Sequence, residues 1–192
     1  DIGSHKIKYE LSLNEPKDMF TLIGRRERNN RRSAICDLPD YGSEIVVGED
    51  ALSARRRYRL EHPIKDGEIK NLIGFQEIIN HIYNDKLQVI PDEYPVLISQ
   101  PIFADKSHTE ALQDIFFNQL CVPKLSIIPQ PVLSLLAFGK TTGLVVEIGE
   151  DLTQIAPIYE EEPIGHAASL FQISGNHLTH YLQKLFNDES HM

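Results

Sequence analysis

Two glycine-containing turns in this sequence carry the residue types that bind phosphate. Glycine lets backbone N–H groups approach a phosphate closely, serine and lysine add a hydroxyl and a positive charge, and a carboxylate can hold hydrated Mg²⁺. The first turn is Asp1-Ile2-Gly3-Ser4, with Lys8 downstream, and the second is Glu147-Ile148-Gly149-Glu150-Asp151-Leu152-Thr153. A turn of either kind is more often an ordinary hairpin connection, so one turn alone is weak evidence for a phosphate-binding site. The two turns together are stronger evidence.

Other candidate groups carry less weight. Gln130 lies between two prolines at the start of an apolar stretch, where it is either a helix cap or, in a phosphate site, the residue that orients an attacking water. His177 and His180 share one predicted helix, but no third ligand is close in sequence, so we expect no zinc site. Cys121 follows a predicted helix in an apolar context, which predicts a core position.

Composition narrows the class of protein. The 192 residues are 41% hydrophobic and 24% charged, which is ordinary for a globular domain. The net charge of −9 argues against direct nucleic-acid binding, and no run approaches the ~20 apolar residues of a membrane helix. Residues 71–192 carry a net charge of −10, whereas the positive charges are clustered. One cluster is Arg25, Arg26, Arg28, Arg31 and Arg32, and we interpret it as either a solvated loop or a docking surface for an acidic partner.

Strands and helices alternate along the chain, which favours an α/β fold. The pattern predicts a strand or hairpin over 1–20, a long exposed loop over 24–44, a helix over 72–87, and a helix opened by a capping box at Ser107. Residues 143–148 and 153–159 are predicted as two strands with a tight turn between them. Their short connection requires an antiparallel pair, so the sheet is expected to be mixed.

Taken in order, these pieces resemble the actin family. Val47–Ala51 is similar to V-G-D-E-A, and His62–Gly67 to Y-P-I-E-H-G. Gln130–Gly143 is close to Q-A-V-L-S-L-Y-A-S-G-R-T-T-G, Pro157–Glu160 matches P-I-Y-E, and Gly175–Leu182 resembles G-R-D-L-T-D-Y-L. The matches keep their order over nearly the whole chain, which makes the resemblance specific at the level of the family.

The resemblance implies the first half of the actin-like ATPase (ribonuclease H-like) fold, so we expect a fragment or a truncated relative. It implies a large lobe formed by 1–23 and 60–192, and a small inserted lobe formed by 24–59. It also implies ATP or ADP with Mg²⁺ as ligand, Asp1 and Glu147 as metal carboxylates acting through water, Gln130 as the residue that positions water, and Gly175 near the nucleotide. The residues expected at the phosphates are Asp1, Gly3, Ser4, Lys8, Gly149, Glu150, Asp151 and Leu152.

Several departures from the family pattern fall in these turns. His5 stands where the family has a third small residue, Glu147 replaces an Asp, and Ile148 replaces a Ser. Asp151 replaces a Gly and is expected to bring negative charge beside the phosphates, while Gln154 and Asp66 each replace a His. The 25–43 stretch is Arg-rich and about five residues longer than the loop that contacts the next subunit in actin filaments.

We therefore favour a divergent actin-related protein that scaffolds a larger assembly and binds ATP weakly or vestigially. Its contacts with other actin-family or complex subunits would run through the 24–43 loop, without direct nucleic-acid or membrane binding. The first alternative is a nucleotide-cycling actin that polymerises and hydrolyses ATP slowly; the second is another ATPase of the same superfold, of the sugar-kinase or chaperone type. Enzyme activity is left open, at most a slow ATPase. The expected location is intracellular, in the cytoplasm or cytoskeleton, with the nucleus as the alternative.

Overall fold

A computed structural model describes residues 1–11, 15–26 and 44–189, and these form a mixed α/β fold, as predicted. Helices and strands alternate one by one from α2 to α4, and runs of three or four strands occupy the rest of the chain. The strands are β1 Lys6–Tyr9, β2 Lys17–Phe20, β3 Ile23–Arg26, β4 Ile45–Val47, β5 Tyr58–Glu61, β6 Ile64–Lys65, β7 Glu68–Ile69, β8 Val96–Gln100, β9 Leu125–Pro129, β10 Gly143–Ile148, β11 Thr153–Tyr159, β12 Glu162–Pro163 and β13 Ser169–Phe171. The helices are α1 Glu49–Ser53, α2 Leu72–His81, α3 Lys106–Gln113, α4 Gln130–Ala137 and α5 Gly175–Glu189.

The N-terminal segment folds as the predicted hairpin. Strand β1 pairs antiparallel with β2, so that Ile7 lies opposite Met19, and both side chains are buried. Ile2 forms an isolated antiparallel bridge to Ile7, which folds the first turn back onto the hairpin. The residues of this turn therefore stand at the open end of the hairpin.

Strands β8 and β9 are parallel, with Val96 opposite Leu125 and Gln100 opposite Pro129. The crossover between them contains α3, which continues as a π-helical segment over Asp114–Gln119. The capping box predicted at Ser107 is wrong. Asp105 caps the helix instead, because its carboxylate accepts a hydrogen bond of 2.7 Å from the backbone N–H of His108. This bond to the backbone N–H holds the pKa of the Asp105 carboxyl below its usual range.

The antiparallel pair predicted at 143–159 is confirmed. Strand β10 pairs with β11 from Gly143 opposite Ile158 to Ile148 opposite Thr153, and the turn between them contains Gly149. One face of this pair packs on α4, where Val132 and Leu135 contact Ile158. The pair and α4 therefore form one unit that carries the second glycine turn.

The main core lies between α2, α3 and the strands β1, β2 and β8. Phe75 and Ile78 of α2 are fully buried in it, together with Leu112 and Ile115. The predicted helix over 72–87 is confirmed, with Leu72–His81 α-helical and Ile82–Leu87 π-helical. Burial raises the pKa of Tyr83, in the π-helical part, to about 12. A second cluster, which includes Leu22, Val46 and Tyr58, packs beneath the sheet β4-β3-β5.

Two further predictions need correction. Cys121 is exposed and not in the core, because the chain turns there with a positive φ of 56° and buries the neighbouring Val122 instead. The loop prediction is wrong for residues 24–26, because Gly24, Arg25 and Arg26 belong to β3 and pair with β4 and β5. The rest of the predicted loop, from 27 to 43, lies outside the described residues. Arg28, Arg31 and Arg32 lie outside the described residues.

Among the described residues, no helix is both long enough and apolar enough to cross a membrane.

Candidate functional site

The two glycine turns face one another across a single cleft with a volume of about 550 Å³. This position confirms that the turns come together, although about 140 residues separate them in the chain. Gln130 also lines the cleft, as expected from its place after β9. The predicted residues among the lining are Asp1, Gly3, Ser4, Lys8, Gln130, Glu147, Gly149, Glu150, Asp151 and Leu152.

The first turn is held rigidly against the hairpin. The backbone carbonyl of Gly3 accepts a 2.7 Å hydrogen bond from Thr21 Oγ1 on the far side of the hairpin. A Cβ at Gly3 would lie 2.5 Å from the carbonyl oxygen of Lys6, so only glycine fits this close approach of backbone to backbone. The turn therefore presents its residues to the cleft in one fixed conformation.

One oxygen of the Asp1 carboxylate accepts two hydrogen bonds from protein donors, and the other faces a lysine. Ser99 Oγ, at the end of β8, donates to Asp1 Oδ1 at 2.7 Å. Gln130 Nε2 donates to the same oxygen at 3.1 Å, and Lys8 Nζ lies 3.4 Å from Oδ2. The Lys8 side chain is 63% exposed, so its ion pair with Asp1 is worth at most about 1 kcal/mol.

The carboxylate of Glu147, on the opposite side of the cleft, also accepts hydrogen bonds from protein side chains. It lies on the face of β10 that packs on α4, where Ser134 donates to its Oε1. Gln154, directly opposite Glu147 in the β10–β11 register, donates to its Oε2 at 3.1 Å. Both oxygens of this carboxylate therefore accept hydrogen bonds from neighbouring side chains.

Gln154 joins the two walls. It is only 5% exposed, its Nε2 donates to Gln130 Oε1 at 2.9 Å, and its Oε1 accepts from the backbone N–H of Ile102 at 2.9 Å. Gln130 in turn donates to the backbone carbonyl of Ile2 at 3.3 Å. We call Gln154, Gln130 and the carboxylates of Asp1 and Glu147 the amide brace.

Asp151 lines the cleft, as expected, and its carboxylate also makes a long-range contact. Its side chain is buried, and Oδ2 accepts a 3.0 Å hydrogen bond from the backbone N–H of Asp66, in the β6–β7 turn. Gly67 of the same turn lines the cleft, and a Cβ there would lie 2.5 Å from Leu152 Cδ1. The β6–β7 turn is therefore fastened to the second glycine turn, and the carboxylate of Asp151 makes that attachment.

Gly175 lies beside the second turn and not among the residues that line the cleft. Its backbone N–H donates to the carbonyl of Gly149 at 3.0 Å, and the next N–H, that of Asn176, donates to the carbonyl of Glu150 at 2.8 Å. The N-terminus of α5 thus supports the turn from behind.

The residues that line the cleft do not fit a tightly held Mg²⁺. Within the described ranges, no three His, Cys, Asp or Glu side chains are grouped so that they could hold a metal ion. Asp1 and Glu147 are the carboxylates closest to such a role, and both accept hydrogen bonds from Ser and Gln side chains. A hydrated cation would have to share these carboxylates with the Ser and Gln donors or displace them.

The charge of the residues that line the cleft is unfavourable for a phosphate group that binds without a cation. The lining includes the carboxylates of Asp1, Glu147, Glu150 and Asp151, against the cations of Lys6 and Lys8. Phosphate binding requires a local excess of positive charge from side chains, helix N-termini or metal ions. This cleft offers backbone N–H groups and two lysines in a surrounding that is acidic overall.

Sequence reasoning placed both turns and Gln130 correctly but missed three partners, Ser99, Ser134 and Gln154. A signal for Gln154 was available, because the register of an antiparallel pair joined by a tight turn sets Gln154 opposite Glu147. Ser99 and Ser134 carry no such signal, since their contacts depend on how β8 and α4 pack.

Two loops that face each other across a cleft, one beside a β-hairpin and one within an antiparallel strand pair, are the arrangement expected for the actin-like ATPase fold. The family model described as Actin matches residues 1–191, so the chain belongs to the actin family. This match sets aside the sugar-kinase and chaperone alternative.

Relatives of several kinds match the chain. It is 36% identical to "Centractin" of Schizosaccharomyces pombe over 100% of this chain and 50% of the relative. It is 28% identical to "Actin-like protein 7B" of Rattus norvegicus and 30% identical to the Homo sapiens protein of that name, over 45% of each. The chain therefore spans about half the length of the relatives it matches.

Proposed function

We propose that this chain belongs to a divergent actin-related protein that acts as a scaffold subunit of a larger assembly, inside the cell and associated with the cytoskeleton. In this proposal ATP or ADP with Mg²⁺ binds weakly. One observation carries the proposal: Asp1 and Glu147, which the family resemblance assigns to the metal, are both occupied by protein donors through the amide brace.

The energetic consequence follows from the bonds that a cation must replace. A hydrogen bond to a charged group contributes about 1.5–3 kcal/mol, and Asp1 and Glu147 each accept at least two. Mg²⁺ prefers to keep its waters and to bind through carboxylate oxygens that are free to accept from them. A cation that displaces any of these donors therefore has to offset the loss of contacts that already stabilise the cleft.

Calorimetry with Mg·ATP tests this proposal. We expect dissociation constants weaker than about 1 mM, equivalent to less than about 4 kcal/mol of binding free energy. Since the chain spans half the length of its relatives, a matched variant is needed to tie weak binding to the brace. Ser134→Ala removes one donor from Glu147 and should strengthen Mg²⁺-dependent binding. Micromolar, Mg²⁺-dependent binding by the unmodified protein would contradict the proposal.

The Arg cluster supports a partner-binding role. Arg25 of β3 lies directly opposite Arg59 of β5, and both side chains are exposed. Like charges in directly opposed positions destabilise a sheet, and an acidic partner surface would relieve that repulsion. We propose that Arg25 and Arg26, with Arg28, Arg31 and Arg32 of the same 24–43 stretch, contact an acidic face of another actin-family or complex subunit.

Replacing these five arginines with serine tests the contact. We expect assembly to weaken and its dependence on salt to flatten, because exposed charges are screened within about 10 Å at 0.1 M salt. Unchanged affinity with an unchanged salt slope would show that the cluster is simply solvated. Arg55 and Arg56, which are also exposed, provide a control pair for the change at Arg25 and Arg26 alone, because each pair removes two positive charges.

A nucleotide-cycling, filament-forming actin is the second candidate. It is favoured by one observation, since Ser4, Lys8, Gly149 and Gln130 all line the same cleft. Sedimentation with ATP, with ADP and without nucleotide separates the two proposals, because only the second requires assembly to follow the nucleotide. Under either proposal, we propose that 1–23 and 60–192 form the large lobe and 24–59 the small one, supported by the separate apolar cluster under β4-β3-β5.

A further inference from the structure

We propose that Gln154 is a positioning residue that fixes the orientation of the Gln130 side-chain amide and thereby ties the second glycine turn to the first. The inference deepens the proposed function, because it names the residue that holds the cleft together without a cation. It rests on the hydrogen-bond directions of four groups that are far apart in the sequence.

The orientation of the Gln154 side-chain amide is set by a backbone N–H group, which can donate a hydrogen bond but cannot accept one. The backbone N–H of Ile102 only donates, and it lies 2.9 Å from Gln154 Oε1. The amide nitrogen of Gln154 must therefore point the other way, where it meets Glu147 Oε2 at 3.1 Å and Gln130 Oε1 at 2.9 Å. Both of those atoms accept, so the two N–H groups of Gln154 are fully used.

The orientation of the Gln130 side-chain amide follows from the hydrogen bond that it accepts from Gln154. Because its Oε1 receives the N–H of Gln154, its nitrogen faces Asp1 Oδ1 at 3.1 Å and the Ile2 carbonyl at 3.3 Å. Turning the Gln130 amide over would set oxygen against oxygen at Asp1 and Ile2, and nitrogen against nitrogen at Gln154. Every contact of the reversed state is repulsive, so one orientation is selected.

The selected orientation limits what Gln130 can do in the cleft. Both of its N–H donors are engaged, and Oε1 retains one free lone pair. Gln130 can therefore accept a hydrogen bond from a water but cannot donate one to a water or a phosphate while the brace is intact. Gln154 thus sets Gln130 as an acceptor toward any ligand.

The test replaces the side-chain amide of Gln154, which donates hydrogen bonds, by a carboxylate of similar size, which only accepts them at pH 7. Gln154→Glu places a carboxylate against Gln130 Oε1 and Glu147, and Gln113→Glu on the exposed surface of α3 is the matched control. The readout is the side-chain ¹⁵N–¹H pair of Gln130, assigned by Gln130→Asn. We expect its hydrogen exchange to accelerate about tenfold at pH 7 in Gln154→Glu and to stay unchanged in the control.

The pH dependence of Gln130 hydrogen exchange in Gln154→Glu distinguishes a positioning role of residue 154 from a role in stability alone. The neighbouring Glu147 raises the pKa of the introduced carboxyl, and once protonated that carboxyl can donate to Gln130 Oε1 again. We therefore expect the slow exchange of Gln130 to return as the pH falls. If Gln154→Glu does not fold, as judged by circular dichroism, Gln154→Met removes the same hydrogen bonds at similar volume and should give the fast exchange at all pH values.

Unchanged Gln130 exchange in a folded Gln154 variant would overturn the inference. Titration of each variant with Mg·ATP separates this failure from that of the proposed function. Accelerated Gln130 exchange with unchanged Mg·ATP affinity supports the positioning role and counts against the proposed reason for weak binding.

Discussion

Removing the carboxylate of Asp151 should loosen the attachment of the β6–β7 turn to the cleft. Asp151 Oδ2 accepts the Asp66 backbone N–H at 3.0 Å across 85 residues of sequence, so the bond joins two segments that have no local connection. Asp151→Ala abolishes the bond, whereas Asp151→Asn keeps a neutral acceptor oxygen at nearly the same position. The pair of variants separates the bond from the charge.

The size of the effect follows from burial. A hydrogen bond to a charged acceptor contributes about 1.5–3 kcal/mol, and the lower end applies because Asp66 is exposed and water can reach its freed N–H. We expect Asp151→Ala to lower the free energy of unfolding by about 1.5–2 kcal/mol. Asp151→Asn should cost about half as much, since a neutral hydrogen bond contributes about 1 kcal/mol.

Urea denaturation measures the global effect, and amide hydrogen exchange at Asp66 measures the local one. Exchange at Asp66 should accelerate in Asp151→Ala, with an intermediate rate in Asp151→Asn. Asp92→Ala removes an exposed carboxylate and is the control. If the carboxylates of the cleft instead repel one another strongly, Asp151→Ala would stabilise the protein. That result, or unchanged exchange at Asp66, would show that the Asp151 carboxylate does not hold the β6–β7 turn in place.

Three further outcomes follow from packing and titration. Phe75→Ala should cost about 3–5 kcal/mol by urea denaturation, because Phe75 is fully buried in the main core. Gly67→Ala should cost roughly 1–3 kcal/mol, since its φ of 74° disfavours a side chain and Leu152 occupies the space of a Cβ. Burial lowers the pKa of His108, whose ring nitrogens have no hydrogen-bond partner. The unfolded chain therefore takes up a proton first, so stability should fall as pH drops below about 6.5, and His108→Leu should remove this part of the pH dependence.

Much of the fold was readable from the sequence because local patterns set it. The spacing of apolar residues in α2 and the tight connection between β10 and β11 each require one local structure, and both are confirmed. The same holds for the two glycine turns, whose meeting in one cleft follows from the ordered family resemblance.

The sequence-based predictions fail where tertiary contacts or neighbouring side chains determine which hydrogen bonds form. Asp105 outcompetes Ser107 as the helix cap, because the carboxylate reaches the His108 N–H first and Ser107 then donates to Asp105. Asp151 lines the cleft as expected, but the backbone N–H of a distant turn that donates to its carboxylate was not foreseen. Neither competition is visible in a pattern of residue types, since both depend on distances that only the packed chain defines.

A structure of the protein determined in the presence of millimolar Mg·ATP would show whether the hydrogen bonds of the amide brace persist. We expect that Gln130 still donates to Asp1, that Gln154 still donates to Glu147, and that no triphosphate lies between Ser4 and Gly149. A triphosphate in that position, with Mg²⁺ beside Asp1 and Glu147 and with Gln130 turned away from Asp1, would contradict this expectation.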